Sequence, residues 1–146
     1  MTKSGENIEM PQGIPFQLCL ESCLIHKDKE SVIPNADEYF NLLGDIERFN
    51  LIQEGETNRP SFKRLHRYKY SPTACYGNNE VHLHPYQHRR LSVRETLRIQ
   101  GVDDSYVLKT PNLLSKKFKM IGNGVPVPLA KAVGETLKEI IDNLVL

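Results

Sequence analysis

Cysteines and long apolar runs are scarce in this 146-residue sequence. Its three cysteines, Cys19, Cys23 and Cys75, are an odd number without the spacing of a disulfide framework, which favours a reducing compartment. No apolar run approaches the length that crosses a bilayer, and residues 1–13 lack the apolar core of a secretory signal. We therefore expect a cytoplasmic protein without a membrane span, whose residues 1–13 form a flexible lead.

The sequence also lacks clear ligand sets for metals and nucleotides. Cys19, Cys23 and His26 form a loose cluster, and "HLHPYQH" supplies further histidines, but neither group has the paired spacing of a zinc finger. Buried thiols and surface or DNA-facing histidines are the better interpretation, so we expect no metal. No Gly-x-Gly-x-x-Gly or P-loop is present, and "GNG" at 122–124 alone indicates a tight turn.

Acidic residues are nearly absent from the middle of the chain. Residues 1–58 hold 4 Lys/Arg against 11 Asp/Glu, whereas residues 59–90 hold 7 Lys/Arg against one acid, Glu80. Residues 91–146 are mildly basic, with 8 against 6. An acidic start followed by a basic middle indicates an anionic partner bound by one surface, although a solvated basic loop would show the same charge pattern.

The basic segment also has the residue types of a nucleic-acid interface. Lysines and arginines alternate there with aromatic residues, and Thr and Asn side chains follow on a turn. Basic side chains suit phosphates, whereas Asn, Thr and Arg suit base edges. A strand edge protected by charges is the alternative. We favour nucleic acid, with these candidate DNA contacts: Arg64, Arg67, Lys69, Thr73, Tyr76 and Asn78.

Two helices are well marked. Ser92 and Glu95 form a capping box, and Gly101 suits the position just past a helix end. A helix of about two turns is therefore predicted between Ser92 and Gly101. Pro128 suits a first helical turn, and apolar residues recur after it at helical spacing, which predicts an amphipathic helix of about sixteen residues. That stripe consists of Leu129, Val133, Leu137, Ile140 and Leu144.

The remaining elements are less strongly marked. One or two strands are predicted in residues 14–26, and a helix is predicted in 36–52, although Gly44 weakens it. Strands are predicted in "FKRLHRYKY" and before Pro85, and a lysine-rich loop is predicted in 109–119.

Two stretches resemble the closing sequence blocks of the DNA cytosine-5 methyltransferases. "HPYQHRRLSVRETLRIQGVDDSY" is similar to the next-to-last block, and "MIGNGVPVPLAKAVG" is similar to the last, in the same order and with similar spacing. "FKRLHRYKYSPTACYGNNEVHLHP" resembles the end of the family's target-recognition domain, and residues 36–56 resemble its start more weakly. The resemblance covers roughly residues 36–140.

The resemblance implies an α+β fold. A small, irregular β-rich target-recognition region (14–90) would precede a segment (91–146) whose helices complete the α/β catalytic core of a methyltransferase. It also implies that Asn123, Gly124 and Val125 line a pocket for S-adenosylmethionine. The residues expected to be architectural are Arg90, Ser92, Arg94, Glu95 and Arg98.

The family's catalytic residues are missing from this sequence. No Pro-Cys dipeptide and no Phe-x-Gly-x-Gly loop occurs, so no catalytic residue is expected here. The resemblance thus implies the small subunit of a split enzyme that binds double-stranded DNA, with a larger methyltransferase subunit supplying the nucleophile and the cofactor loop. The isolated chain would then self-associate. Two alternatives are an inactive stand-alone DNA-binding remnant, in a restriction-modification or regulatory context, and a truncated piece of a full-length enzyme.

Overall fold

The computed structural model describes residues 8–44, 46–73, 81–110 and 113–144. Within these ranges the first segment forms 3-10 helices at Phe16–Leu18, Leu20–Cys23 and Lys27–Lys29. The prediction of strands in 14–26 is therefore wrong. Leu20 and Leu24 are buried one turn apart, and the backbone N–H of Leu20 donates to the carbonyl of Lys69 at 3.0 Å. This hydrogen bond joins residues far apart in the sequence, and it attaches the segment to the basic region although no strand forms there.

Helix α1 (Ile46–Asn50) is the helical part of the predicted 36–52 element. Gly44 has a φ of 102°, a left-handed value that interrupts a helix. Strand β1 (Lys63–Arg64) pairs in parallel with β2 (His82–Leu83) in the register Lys63 to His82. These two strands are much shorter than predicted, so the described part of the recognition region consists mainly of turns and 3-10 helices.

The C-terminal third is helical. Helix α2 (Val93–Ile99) and helix α4 (Val127–Leu144) confirm the two well-marked predictions. Helix α3 (Leu114–Gly122) lies where a lysine-rich loop was predicted, which makes that prediction wrong. Phe118 and Ile121 of α3 are buried against Val93 and Leu97 of α2. Burying this apolar face stabilises α3 even though the helix also contains three lysines.

Two further apolar clusters hold the recognition region together. Leu20 and Leu24 pack with Leu65 and Leu91, while a second group, comprising Phe49, Ile52, Val81 and Leu83, packs between α1 and β2. Helix α4 is the longest described helix, and none of its residues is buried. No helix in the described ranges is long and apolar enough to cross a membrane.

Candidate DNA-recognition surface and cofactor turn

Arg64 lies in the interior of the recognition region. Its side chain donates to four backbone carbonyls: Nε to Ile52 at 2.7 Å, Nη2 to Phe49 at 2.8 Å, and Nη1 to His84 at 2.9 Å and to Gln87 at 3.4 Å. Burial lowers the pKa of its guanidinium, and Glu54 and Glu56 oppose this shift. Arg64 thus connects α1, β1 and the end of β2. The predicted DNA contact does not fit this position, because the residue is 5% exposed and its donors are already bound.

Arg67 is also bound within the chain. Its guanidinium pairs with both carboxylate oxygens of Glu54, at 2.8 Å for the closest approach, and lies 4.6 Å from the ring centre of Tyr86. The Glu54 hydrogen bond raises the pKa of Arg67. Since the side chain is only 15% exposed, its availability to DNA is much smaller than its charge indicates. Glu54 lies thirteen residues away in the sequence, so no local pattern reveals this pair.

Lys69 and Thr73 remain accessible. Both are exposed, and Lys69 lines a shallow pocket of about 170 Å³ together with His66, Tyr70 and Ser71. The carboxylates near this pocket are already paired, Glu54 with Arg67 and Glu56 with Arg59. In the described part of the chain no carboxylate pairs with Lys69, so its charge can act on an anion. Tyr76 and Asn78 lie outside the described residues.

A buried ionic network holds the start of α2. The Ser92 side chain accepts from the backbone N–H of Glu95, and the Glu95 carboxylate accepts from the Ser92 N–H, which completes the predicted capping box. Glu95 also accepts from Arg89 at 2.7 and 2.9 Å and from the Ile25 N–H at 3.1 Å. Although burial opposes its ionisation, the Arg89 hydrogen bonds hold the pKa of Glu95 below its usual value.

The other arginines of the block contact neighbouring loops. Arg94 is fully buried and donates to the carbonyls of Pro34, Asp103 and Tyr106. Arg98 pairs with Asp104 at 2.7 Å and reaches the Leu24 carbonyl. These contacts have the form expected of architectural residues.

Arg90 and His84 lie beside the buried network at the start of α2. The Arg90 guanidinium lies 5.0 Å from the ring centre of Phe40. His84 was not singled out from the sequence as a site residue, yet it is fully buried, with Nε2 3.6 Å from Glu95 and Nδ1 accepting from the Gln87 N–H. Burial lowers the pKa of His84 to about 3. The imidazole is therefore neutral at physiological pH.

The predicted cofactor residues form an exposed turn between α3 and α4. Asn123, Gly124 and Val125 are all exposed, and Val125 is 65% accessible. The N–H of Asn123 donates to the Lys119 carbonyl, and that of Gly124 donates to the Ile121 carbonyl. The Asn123 amide and the small Gly124 are thus presented outward. An exposed side-chain amide beside a glycine can contact a polar ligand, and the contact with S-adenosylmethionine stays a prediction.

The described residues contain no group of three or more His, Cys, Asp or Glu side chains placed to hold a metal. Cys19 is buried and Cys23 is half-buried, while Cys75 lies outside the described residues.

Comparison with known proteins identifies the family. The family described as C-5 cytosine-specific DNA methylase matches residues 17–139. The chain belongs to the cytosine-5 DNA methyltransferase family. It is 49% identical over 139 residues to the Type II methyltransferase M.NmeDI of Neisseria meningitidis serogroup C, an alignment that covers 95% of this chain and 33% of that protein.

Methyltransferases from eukaryotes are similar over shorter stretches. The DNA (cytosine-5)-methyltransferase CMT3 of Arabidopsis thaliana is 40% identical over 87 residues, covering 58% of this chain and 10% of that protein. DNA (cytosine-5)-methyltransferase 1 of Gallus gallus is 56% identical over 52 residues, covering 36% of this chain and 3% of that protein. The chain therefore spans a third or less of the length of these methyltransferases.

Proposed function

We propose that this chain is the C-terminal, DNA-recognising portion of a DNA (cytosine-5-)-methyltransferase and acts in the cytoplasm as one subunit of a split enzyme. The observation that carries the proposal is the family match over residues 17–139. A larger partner chain would supply the cysteine nucleophile. This chain would select the DNA sequence.

The proposed reaction transfers a methyl group to C5 of a cytosine that has been turned out of the double helix. S-adenosylmethionine supplies the methyl group when it is bound. A cysteine thiolate of the partner chain would add to C6 of the ring and so activate C5. After the methyl transfer, loss of the C5 proton and cleavage of the C6–S bond would restore the ring and free the thiolate. The residues of this chain would bind and orient the cofactor and the DNA. Asn123, Gly124 and Val125 would contact the cofactor, and the surface around Lys69 and Thr73 would contact the duplex.

The exposed face of α4 supports the need for a partner. Its apolar stripe is about half exposed or more at every position, from 49% at Ile140 to 79% at Leu144. A contiguous apolar face of this kind is typical of an interaction surface. In the proposed enzyme, the larger chain covers it.

Methyl transfer from labelled S-adenosylmethionine to DNA tests the proposal. The purified chain is assayed alone and with the methyltransferase polypeptide encoded beside it, and the control is that polypeptide with its nucleophilic cysteine replaced by serine. We expect transfer only in the mixture with the intact partner. Transfer by the chain alone would contradict the split-enzyme proposal. DNA binding without transfer in any mixture would favour the inactive DNA-binding remnant.

A further inference from the structure

One residue holds both sides of the turn between α3 and α4. Gln100, at the end of α2, accepts through its backbone carbonyl from the Val127 N–H at 2.9 Å. Its side-chain Nε2 donates to the Ile121 carbonyl at 3.2 Å. Ile121 precedes the Asn123–Val125 turn and Val127 follows it. The two contacts therefore fix the turn at its entry and at its exit.

The next residue brings the backbone of α2 against the start of α4. Gly101 has a φ of 72°, and a Cβ there would lie 2.8 Å from Cγ of Pro128 and closer still to Cδ. Gly13 has a similar φ of 89° but has no atom within 4 Å of the same position. A side chain at Gly101 would thus clash with Pro128, in addition to the strain that the positive φ causes at both glycines.

The contact from Gln100 adds to the local hydrogen bonds of the turn. The Ile121 carbonyl accepts from the Gly124 N–H at 3.0 Å as well as from Gln100, so the two donors share one acceptor. Gln100 is only 7% exposed, which shields its hydrogen bonds from water. Helix α2 is itself fixed at its other end by the buried Ser92–Glu95 capping box.

We propose that Gln100 and Gly101 are positioning residues that hold the Asn123–Val125 turn in the geometry that contacts S-adenosylmethionine. This inference rests on the proposed function for the cofactor contact, but the physical connection between α2 and the turn can be tested without it. Gln100 contributes two hydrogen bonds, and Gly101 contributes the space that lets Pro128 approach.

Amide hydrogen exchange on the full chain tests the physical connection. Gly101→Ala should speed exchange of the Val127 N–H about tenfold or more, because the added methyl displaces Pro128 from α2. Gly13→Ala is the matched control, because it also places an alanine at a positive φ but its methyl group meets no other atom. The double variant Gly101→Ala, Pro128→Ala should recover most of the protection, because it removes the ring atoms that the methyl meets. Equal exchange in Gly101→Ala and the control would overturn the inference.

Kinetics of the assembled enzyme test the role in cofactor binding. Gln100→Met and Gly101→Ala should each raise KM for S-adenosylmethionine about five- to tenfold, as expected for the loss of one buried hydrogen bond. The kcat and the KM for DNA should stay within about twofold. Asn123→Ala is the positive reference and Gln17→Met, on an exposed site, is the negative control. The dissociation constant of S-adenosylhomocysteine, measured by calorimetry, should change in parallel.

The two experiments separate the possible failures. If the wild-type mixture transfers no methyl group, the proposed function fails while the exchange data still decide whether α2 holds the turn. If the wild type is active but the variants lower kcat and raise both KM values together, Gln100 and Gly101 only stabilise the fold. That result overturns the positioning role.

Discussion

The basic side chains of residues 59–69 lie in different environments, although they look alike in the sequence. Arg64 is buried among backbone carbonyls and Arg67 is paired with Glu54, whereas Lys69 is exposed. The sequence shows the positive charges but not the carbonyls and carboxylates that fold against them. Their partners lie from 12 to 23 residues away, beyond the range of any local pattern.

We predict that Lys69→Ala and Arg64→Ala have separable effects. Lys69→Ala should weaken binding to all DNA sequences alike and reduce the salt slope of binding by about one unit, because one phosphate contact is lost. Arg64→Ala should lower the free energy of unfolding by on the order of 3 kcal/mol, because three buried carbonyls lose their donor. Fluorescence anisotropy and urea denaturation measure the two effects. A destabilised Lys69→Ala with normal DNA binding would contradict the assignment.

His84 gives a second prediction at the residue scale. Burial lowers its pKa to about 3, whereas an unfolded histidine titrates near 6.5. Between these values the unfolded chain binds more protons, so stability falls as the pH drops from about 6.5 towards 3, by up to about 1.4 kcal/mol per pH unit. The charged groups around the imidazole are Glu95, Arg89, Arg64 and Arg67.

His84→Asn removes this titration and keeps an acceptor near the position of Nδ1. The pH dependence of unfolding by urea should become flatter below pH 6.5 than in the wild type. His88→Asn is the control, because His88 is exposed. An unchanged slope in His84→Asn would show that other groups cause the acid sensitivity.

At the scale of elements, the predictions succeeded where the residues that determine a helix all lie within the helix or directly beside it in the sequence. The capping box of α2 and the apolar stripe of α4 are local, and both helices formed. The 3-10 helices at 16–23 were predicted as strands because apolar residues there are held by distant contacts, such as the bond from Leu20 to Lys69. Helix α3 was missed because the lysines of residues 109–119 were interpreted as a loop, whereas the burial of Phe118 and Ile121 depends on their contact with α2.

The capping box should account for much of the stability of α2, which is only seven residues long. Ser92→Ala removes the acceptor for the Glu95 N–H and should lower the unfolding free energy by about 1–2 kcal/mol. Ser31→Ala, at an exposed position, should leave it unchanged. Thermal or urea unfolding measures the difference. Equal stability of both variants would mean that the Arg89–Glu95 contacts alone fix the helix.

At the scale of the whole molecule, the apolar face of α4 is exposed along the full length of the helix. We predict that the isolated chain self-associates through its apolar face, as a dimer, because this removes the exposed side chains from water. Replacing Val133 and Leu137 with Glu should give a monomer by light scattering at high concentration. Lys138→Glu, on the same helix outside the stripe, should remain a dimer. A monomeric wild type at high concentration would contradict this prediction.

The family could be identified from the sequence, because two motifs near the end of the chain resemble the closing blocks of the family. The match of residues 17–139 to the family agrees with this identification. The turn at 122–124 was predicted from its glycines and is present, whereas its contact with the cofactor stays a prediction. The attachment of this turn to Gln100 was not foreseen. That attachment depends on a backbone carbonyl and on the space at Gly101. Neither is visible in residue types.

The central claim is that this chain selects the DNA sequence for a cytosine-5 methyltransferase. Exchanging residues 59–80 for the corresponding segment of a related enzyme with a different target tests it most directly, because this segment carries the accessible Lys69 and Thr73. Sequencing that detects 5-methylcytosine then maps the sites modified by the assembled enzyme. We predict that methylation moves to the donor's target. An exchanged enzyme that stays active and methylates its original site would contradict the claim and place specificity elsewhere, in residues 14–52.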